Sequence, residues 1–330
     1  MGLTNLQIGA WNVQGAGIPP TMGEVFFLVT SKSASDTYYQ RLVQIGVEDE
    51  RIFSTLSSAY TNMTTLQGDT LCVMPGDHVQ TASLTWDKDD TRIIGMGVPN
   101  QRQHPLTLTN GGTRLSCVTA AVGQILNITG DYVTMMNIGT VNSAASTSNL
   151  YDILIASRNF YAEGCSFRGG NNATQVGNAS AGIPLGIGAG YAARFVKCQI
   201  GQSGNTTRTT GPGFVKFITG GHGGIDFIDC DFQMRSETTG ANPSGFLVQE
   251  TSIDRIIRFL GDCTFYNFSE NWGALPDCLF NIDQTTTFDI VMGQGCLMAG
   301  FDIVSDNAHV KVIGGAPNNA AVESIAVATS

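Results

Sequence analysis

Three stretches of the chain carry side chains whose types and spacing could do chemistry. Gly221-His222-Gly223 is followed by Asp226, Asp229 and Asp231. Paired carboxylates beside an imidazole could run glycoside hydrolysis, one acid protonating the leaving oxygen while the other activates water or attacks carbon. If the chain is an enzyme, His222, Asp226, Asp229 and Asp231 are the candidates; the competing reading is a Gly-rich turn with solvated aspartates. Asp87-Lys88-Asp89-Asp90-Thr91-Arg92 gathers acids of the kind that hold calcium. Lys88 and Arg92 dilute that field, so a polar turn ahead of a strand is the expectation. Gly182-Ile183-Pro184-Leu185-Gly186-Ile187-Gly188-Ala189-Gly190 has Gly-x-Gly character. It lacks the following helix that a phosphate cradle needs and reads as a loop and a strand. No motif calls for a metal or a cofactor, and no catalytic residue is assigned.

The cysteines say what positions these groups. Cys165, Cys198, Cys230, Cys263 and Cys296 recur at intervals of 33, 32, 33 and 33 residues. Each stands in the pattern Cys-x-apolar: Cys165-Ser166-Phe167, Cys198-Gln199-Ile200, Cys230-Asp231-Phe232, Cys263-Thr264-Phe265 and Cys296-Leu297-Met298. A fixed period of this length is the mark of a stacked-repeat architecture. Thiols set by the repeat read as a buried structural ladder, because free cysteine behaves as a small hydrophobe; a metal or redox set is the weaker reading.

Composition decides between helical and β repeats. More than half of the 40 glycines fall between residues 150 and 300, among many Thr and Asn, which opposes helix. Short apolar runs separated by Gly, Asn, Ser and Thr read as strands joined by turns. Each period holds the cysteine strand and an upstream strand such as Ile153-Leu154-Ile155 or Phe246-Leu247-Val248. Between them lies a third segment such as Arg194-Phe195, Phe227-Ile228 or Arg258-Phe259. Two or three strands per period with no helix between them describe a parallel β-helix, whose coils stack about 4.8 Å apart. Residues 68–315 hold room for about eight coils, a stack roughly 40 Å long. If Cys230 points inward, alternation sends Ile228 and Phe232 inward and Asp229 and Asp231 outward. The residue after each repeat cysteine is then outward, and four of the five are polar.

The ends differ in character. Residues 24–67 read as a strand, Val25 to Val29, followed by capping helices, with residues 50–66 as the helix that closes the first coil. Ile52, Phe53, Leu56, Ala59, Tyr60 and Met63 give that helix one apolar face. Glu48, Asp49 and Glu50 fall at its N-terminus, where negative charge is favourable. Residues 1–23 read equally as an extended arm or a frayed terminus; as an arm its anchors are Trp11, Ile18, Pro19 and Pro20, and 316–330 read as a tail of small residues. The fold class is therefore all-β: one parallel β-helix of about eight coils with an N-terminal cap helix and an extended arm.

Net charge is −10 with 13% charged residues, and the basic residues are scattered. That argues against a nucleic-acid surface, which needs a basic patch. The start Met1-Gly2-Leu3-Thr4 has neither the basic nor the apolar part of a secretory leader, and no run of 18 apolar residues could span a membrane. Eight cysteines spaced by repeat, without a leader, fit reduced thiols. Arg158, Arg168, Lys197, Arg208, Lys216, Arg235, Arg255 and Arg258 lie near the coils, with no evident pairing to acidic clusters on successive coils.

Two resemblances follow from these residues. Gly221-His222-Gly223 resembles an element of the polygalacturonases, themselves β-helices. Their Asn-Thr-Asp and Asp-Asp elements, and the later Arg-Ile-Lys, are not present here in order. More broadly, the order is strand Gly23 to Val29, a helix, Gly68-Asp69-Thr70 running to Pro75-Gly76-Asp77-His78, Ile93-Ile94-Gly95, and then the Cys-x-apolar coils. Across about residues 23–315 this resembles the pectate-lyase-like right-handed parallel β-helix superfamily, and most of all the small phage virion proteins of that fold. The resemblance implies a right-handed coil, a homotrimer and a place on the virion, assembled in the host cytoplasm. Its first implication is a capsid decoration or cement protein on the outer surface of the head, with the major capsid protein as partner. A tailspike or glycan depolymerase is the alternative, and a bare glycan-binding module a third. The resemblance implies no catalytic residue.

Overall fold

Short runs of β-branched and aromatic residues, cut every few positions by Gly, Asn or Asp, cannot bury one face as helices and pair instead as strands. A computed structural model of the chain describes residues 23–97, 112–120, 122–188, 192–201, 207–218, 223–239, 243–248, 256–269, 275–282, 289–305 and 310–312. The anchors of the proposed arm, Trp11, Ile18, Pro19 and Pro20, lie outside the described residues, as do the tail 316–330 and His222.

The strands form three parallel sheets of 11, eight and eight strands. Sheet I runs through Thr70–Val73, Arg92–Gly95, Thr134–Met136, Phe160–Glu163, Ala193–Val196, Ile225–Ile228, Ile256–Leu260, Asp289–Met292 and Val310–Val312. Sheet II holds the strands that follow the cysteines, from Gly76–Gln80 to Leu297–Ala299, and sheet III runs from Leu84–Trp86 to Ile303–Ser305. The chain visits I, II and III in turn, so eight full coils are present among the described residues. This is a parallel β-helix, as the period requires.

The core is a set of ladders. Phe195, Phe227 and Phe259 stack on sheet I with ring centroids 4.8 and 5.1 Å apart. Phe232 and Phe265 stack on sheet II at 4.9 Å, and Phe246 and Phe280 on sheet III at 4.7 Å. All seven are buried. The five cysteines stand at the corner between sheets I and II, and no disulfide joins them. Each thiol donates to a sheet I carbonyl of the preceding coil: Cys165 to Met135 (3.4 Å), Cys198 to Ala162 (3.7 Å), Cys230 to Phe195 (3.4 Å), Cys263 to Phe227 (3.4 Å) and Cys296 to Phe259 (3.6 Å). Burial pushes the Cys198 thiol well above its usual range, and all five cysteines are buried.

Two expectations need correction. Residues 50–66 are not one helix: Asp49–Arg51 is a 3-10 turn, Ile52–Phe53 a short strand, and only Leu56–Asn62 is α-helical, capped by Thr55. Ile52 and Phe53 pair with Phe27 and Leu28 of strand Val25–Leu28, which pairs in turn with Thr70–Val73. Part of the cap therefore continues sheet I, and sheet pairing has overridden the local helical period. Glu48 stands at the N-cap and Asp49 and Glu50 in the first turn of that 3-10 element, not of an α-helix, and Lys32 pairs with Asp49 and Arg51 with Glu24 and Glu48. A separate helix, Thr37–Gln44, starts where Asp36 accepts from the N–H groups of Tyr38 and Tyr39. It lays Leu42 against the outer side of the first sheet I strands.

The second correction concerns alternation. Phe232 points inward with Cys230, but Ile228 is half-exposed, and Phe227 and Ile225 are the buried apolar residues of that strand. Asp229 takes φ 53°, as Asn137 (54°), Lys197 (51°) and Gly164 (61°) do at the same corner. A left-handed residue breaks the two-residue period, so parity cannot be carried from sheet II back into sheet I.

Candidate functional site: the corner and outer face of sheet I

The singled-out aspartates separate into two environments. Asp226 lies mid-strand on the outer face of sheet I, with Arg194 beside it on one neighbouring strand and Arg258 on the other. Arg258 holds it through Nε at 2.6 Å and Nη2 at 3.0 Å, and Arg194 donates Nη2 at 3.1 Å. The two arginine side chains are 41% and 56% exposed and roof over the carboxylate, which is 6% exposed. The pairing missed in the sequence was legible there: Arg194, Asp226 and Arg258 are each 32 residues apart, one coil.

Asp229 and Asp231 lie at the corner, two positions apart across the cysteine. The Asp229 carboxylate accepts the backbone N–H of Asp262 on the next coil at 3.0 Å, and Asp231 accepts from the Thr264 hydroxyl at 2.5 Å. A Cβ at Gly261 would sit 2.1 Å from Asp229 Oδ1, which keeps that position glycine. With Lys197, Gln199, Asp262 and Thr264 they line an open groove of about 540 Å³. The outward residues Ser166 and Gln199 are buried further up the same ladder, their side chains 3.4 Å apart. Chemically the groove offers carboxylates, an amide, a hydroxyl and one ammonium, a set that suits a hydroxyl-rich or cationic surface.

The acidic stretch before strand Arg92–Gly95 is a turn, as expected. Lys88 reaches over the Tyr60 ring, 4.5 Å from its centre, and donates to the carbonyls of Tyr60 and Met63 at the end of helix Leu56–Asn62. Asp87 accepts from the Tyr60 hydroxyl, and burial pushes that phenol up to about 12. Asp89 accepts the Asp131 N–H at 2.7 Å. These charges fasten the cap to the first coils. Gly182 turns with φ 62° into strand Ile183–Ile187. No group of three or more His, Cys, Asp or Glu among the described residues is placed to hold a metal ion.

Two features escaped the sequence reading. A cleft of about 520 Å³ separates the cap from the first coil, lined by Thr30, Ser54, Thr55, Ser57, Ser58 and His78 among others. His78 Nε2 lies 2.8 Å from the Met74 carbonyl, and burial lowers its pKa. The other is Asp152, fully buried at the start of strand Tyr151–Ile155. Its Oδ2 accepts the Thr140 hydroxyl and the Gly169 N–H, both at 2.8 Å, while Oδ1 finds no partner. Burial pushes this carboxyl up to about 7 against those hydrogen bonds. Nothing in Tyr151-Asp152-Ile153 distinguishes it from a solvated outward aspartate.

No protein-family model and no curated protein matches the chain. Among solved structures it is similar to pectate lyase Pel9A, at 12% identity over 90% of this chain and 79% of that one, with a TM-score of 0.50. It is also similar to pectin methylesterase PemA from Erwinia chrysanthemi, at 11% identity over 88% and 81% of the two chains and a TM-score of 0.49. A third is ORF18 of Geobacillus virus E2, at 12% identity over 80% of this chain and 59% of that one, with a TM-score of 0.44. At such identities the likeness is one of fold: the protein is a right-handed parallel β-helix.

Proposed function

We propose that this protein is a structural component of a bacteriophage virion, a decoration or cement protein bound as a homotrimer to the outer surface of the head. The observation that supports a structural role is how the candidate acids are engaged. Asp226 is held by two arginines, Asp229 by a backbone N–H of the next coil, and Asp231 by Thr264. A general acid or nucleophile must be available to substrate, whereas Asp226 is roofed over by its arginines and Asp229 and Asp231, though they face the groove, are engaged in tying coil to coil. A stiff, acidic stack of coils with its thiols buried is suited to standing on a shell that encloses DNA. On this reading the arm, with Trp11, Ile18, Pro19 and Pro20, grips the major capsid protein or a neighbouring copy through apolar anchors.

The test is co-sedimentation of the purified protein with undecorated heads, alongside its mass by light scattering. Saturable binding of a trimer is expected, lost on deleting residues 1–20 with the coils intact. A trimer that ignores heads overturns the decoration role. The second reading, a tailspike or glycan-binding protein, draws on the acidic groove beside Asp229 and Asp231. Release of oligosaccharide from host surface polysaccharide would establish it in place of the first.

A further inference from the structure

The outer face of sheet I carries a row of apolar side chains in register. Its first members, Phe27, Cys72 and Ile94, are buried beneath helix Thr37–Gln44, with Met136 at the edge of that cluster. Beyond the helix the row continues through Glu163 to Val196, Ile228 and Leu260. Glu163 is engaged by the Tyr161 hydroxyl at 2.8 Å. Val196, Ile228 and Leu260 are each half-exposed, although the same row upstream is closed over. Parallel sheets are ordinarily covered on both faces.

The edges of this open strip carry opposite charge. On the side towards sheet III, Arg194 and Arg258 share the single carboxylate of Asp226, which leaves positive charge in excess. On the side towards sheet II, Asp229, Asp231 and Asp262 outnumber Lys197. The strip thus reads cationic, apolar, acidic across the strands, over the same three coils.

We infer that this strip joins copies of the chain, with the rotation axis parallel to the coil stack and passing beside Ile228. The inference rests on the homotrimer of the proposed function and names its contact face. Rotation about such an axis keeps coils at equal height and sets the cationic edge of one copy against the acidic edge of the next. An antiparallel two-fold arrangement sets like charge against like. In a three-fold ring each strip gives one edge to each neighbour, so the heterologous contact closes. The apolar row then lies along the axis, where Val196, Ile228 and Leu260 of the copies cover one another.

The test uses the full chain with one thiol added. Ile228→Cys is treated with a short bismaleimide, and Leu247→Cys, half-exposed on the outer side of sheet III, serves as control. The native cysteines are all buried and give little background. Covalently joined chains are expected for Ile228→Cys and not for Leu247→Cys. Val196→Arg with Ile228→Arg, both outward, is expected to lower the solution mass threefold while the circular dichroism of the coils persists. A trimer by light scattering whose Ile228→Cys variant stays uncoupled, or couples no better than Leu247→Cys, overturns the face and leaves the trimer standing. A monomer throughout overturns the trimer reading as well.

Discussion

Asp152 makes the stability of this protein depend on pH in a direction opposite to that of ordinary paired carboxylates. Its carboxyl is raised from 3.8 to about 7 by burial, so the folded chain holds a proton there that the unfolded chain releases. Stability from this group is complete below pH 3.8 and is lost as pH rises towards 7. With each pK unit equal to about 1.4 kcal/mol, the loss is about 2 kcal/mol at pH 5 and about 4 kcal/mol at pH 7. Asp152→Asn keeps an oxygen to accept from Thr140 and Gly169 but buries an amide NH2 where Oδ1 has no partner, a pH-independent cost of about 1–3 kcal/mol. The variant should therefore be less stable than the native protein near pH 4, gain on it steadily as pH rises and exceed it by pH 7. Urea unfolding of both proteins at half-unit steps from pH 4 to 7.5 reads the difference, and other titrating groups cancel in it. A difference that stays flat with pH, or an asparagine variant less stable at pH 7, would refute the assignment of a buried, proton-holding carboxyl.

Two further outcomes test the core and the site. Phe232 packs within 5.3 Å of the rings of Phe227, Phe246 and Phe265, so Phe232→Ala should cost about 3–5 kcal/mol, read by thermal unfolding. A loss below 1 kcal/mol would mean the coils can collapse around the gap. Arg258→Ala removes the two-pronged contact to Asp226 and should cost about 1–3 kcal/mol. An unchanged melting temperature would show that the arginine roof contributes nothing.

The period of the cysteines, the short apolar runs and the glycine content determined by themselves that this chain coils into a parallel β-helix, and they set the number of coils. Repeat spacing survives folding because each coil must bury the same positions over the last, so Cys165 to Cys296 and the phenylalanine ladders were legible. The same spacing linked Arg194, Asp226 and Arg258, one coil apart. What the sequence could not determine lies at the corners and under the cap. The left-handed residue at Asp229 reverses the alternation assumed for Ile228, because a single φ flips every side chain upstream of it. Ile52 and Phe53 left the helix their period suggested, because an open strand, Val25–Leu28, offered backbone partners. Asp152 became a buried acid only because residues distant in the chain closed over it. Charge and apolarity along the outer face of sheet I were written in the chain as scattered residues. Only the register of the coils gathered them into one strip with a cationic edge, an apolar centre and an acidic edge.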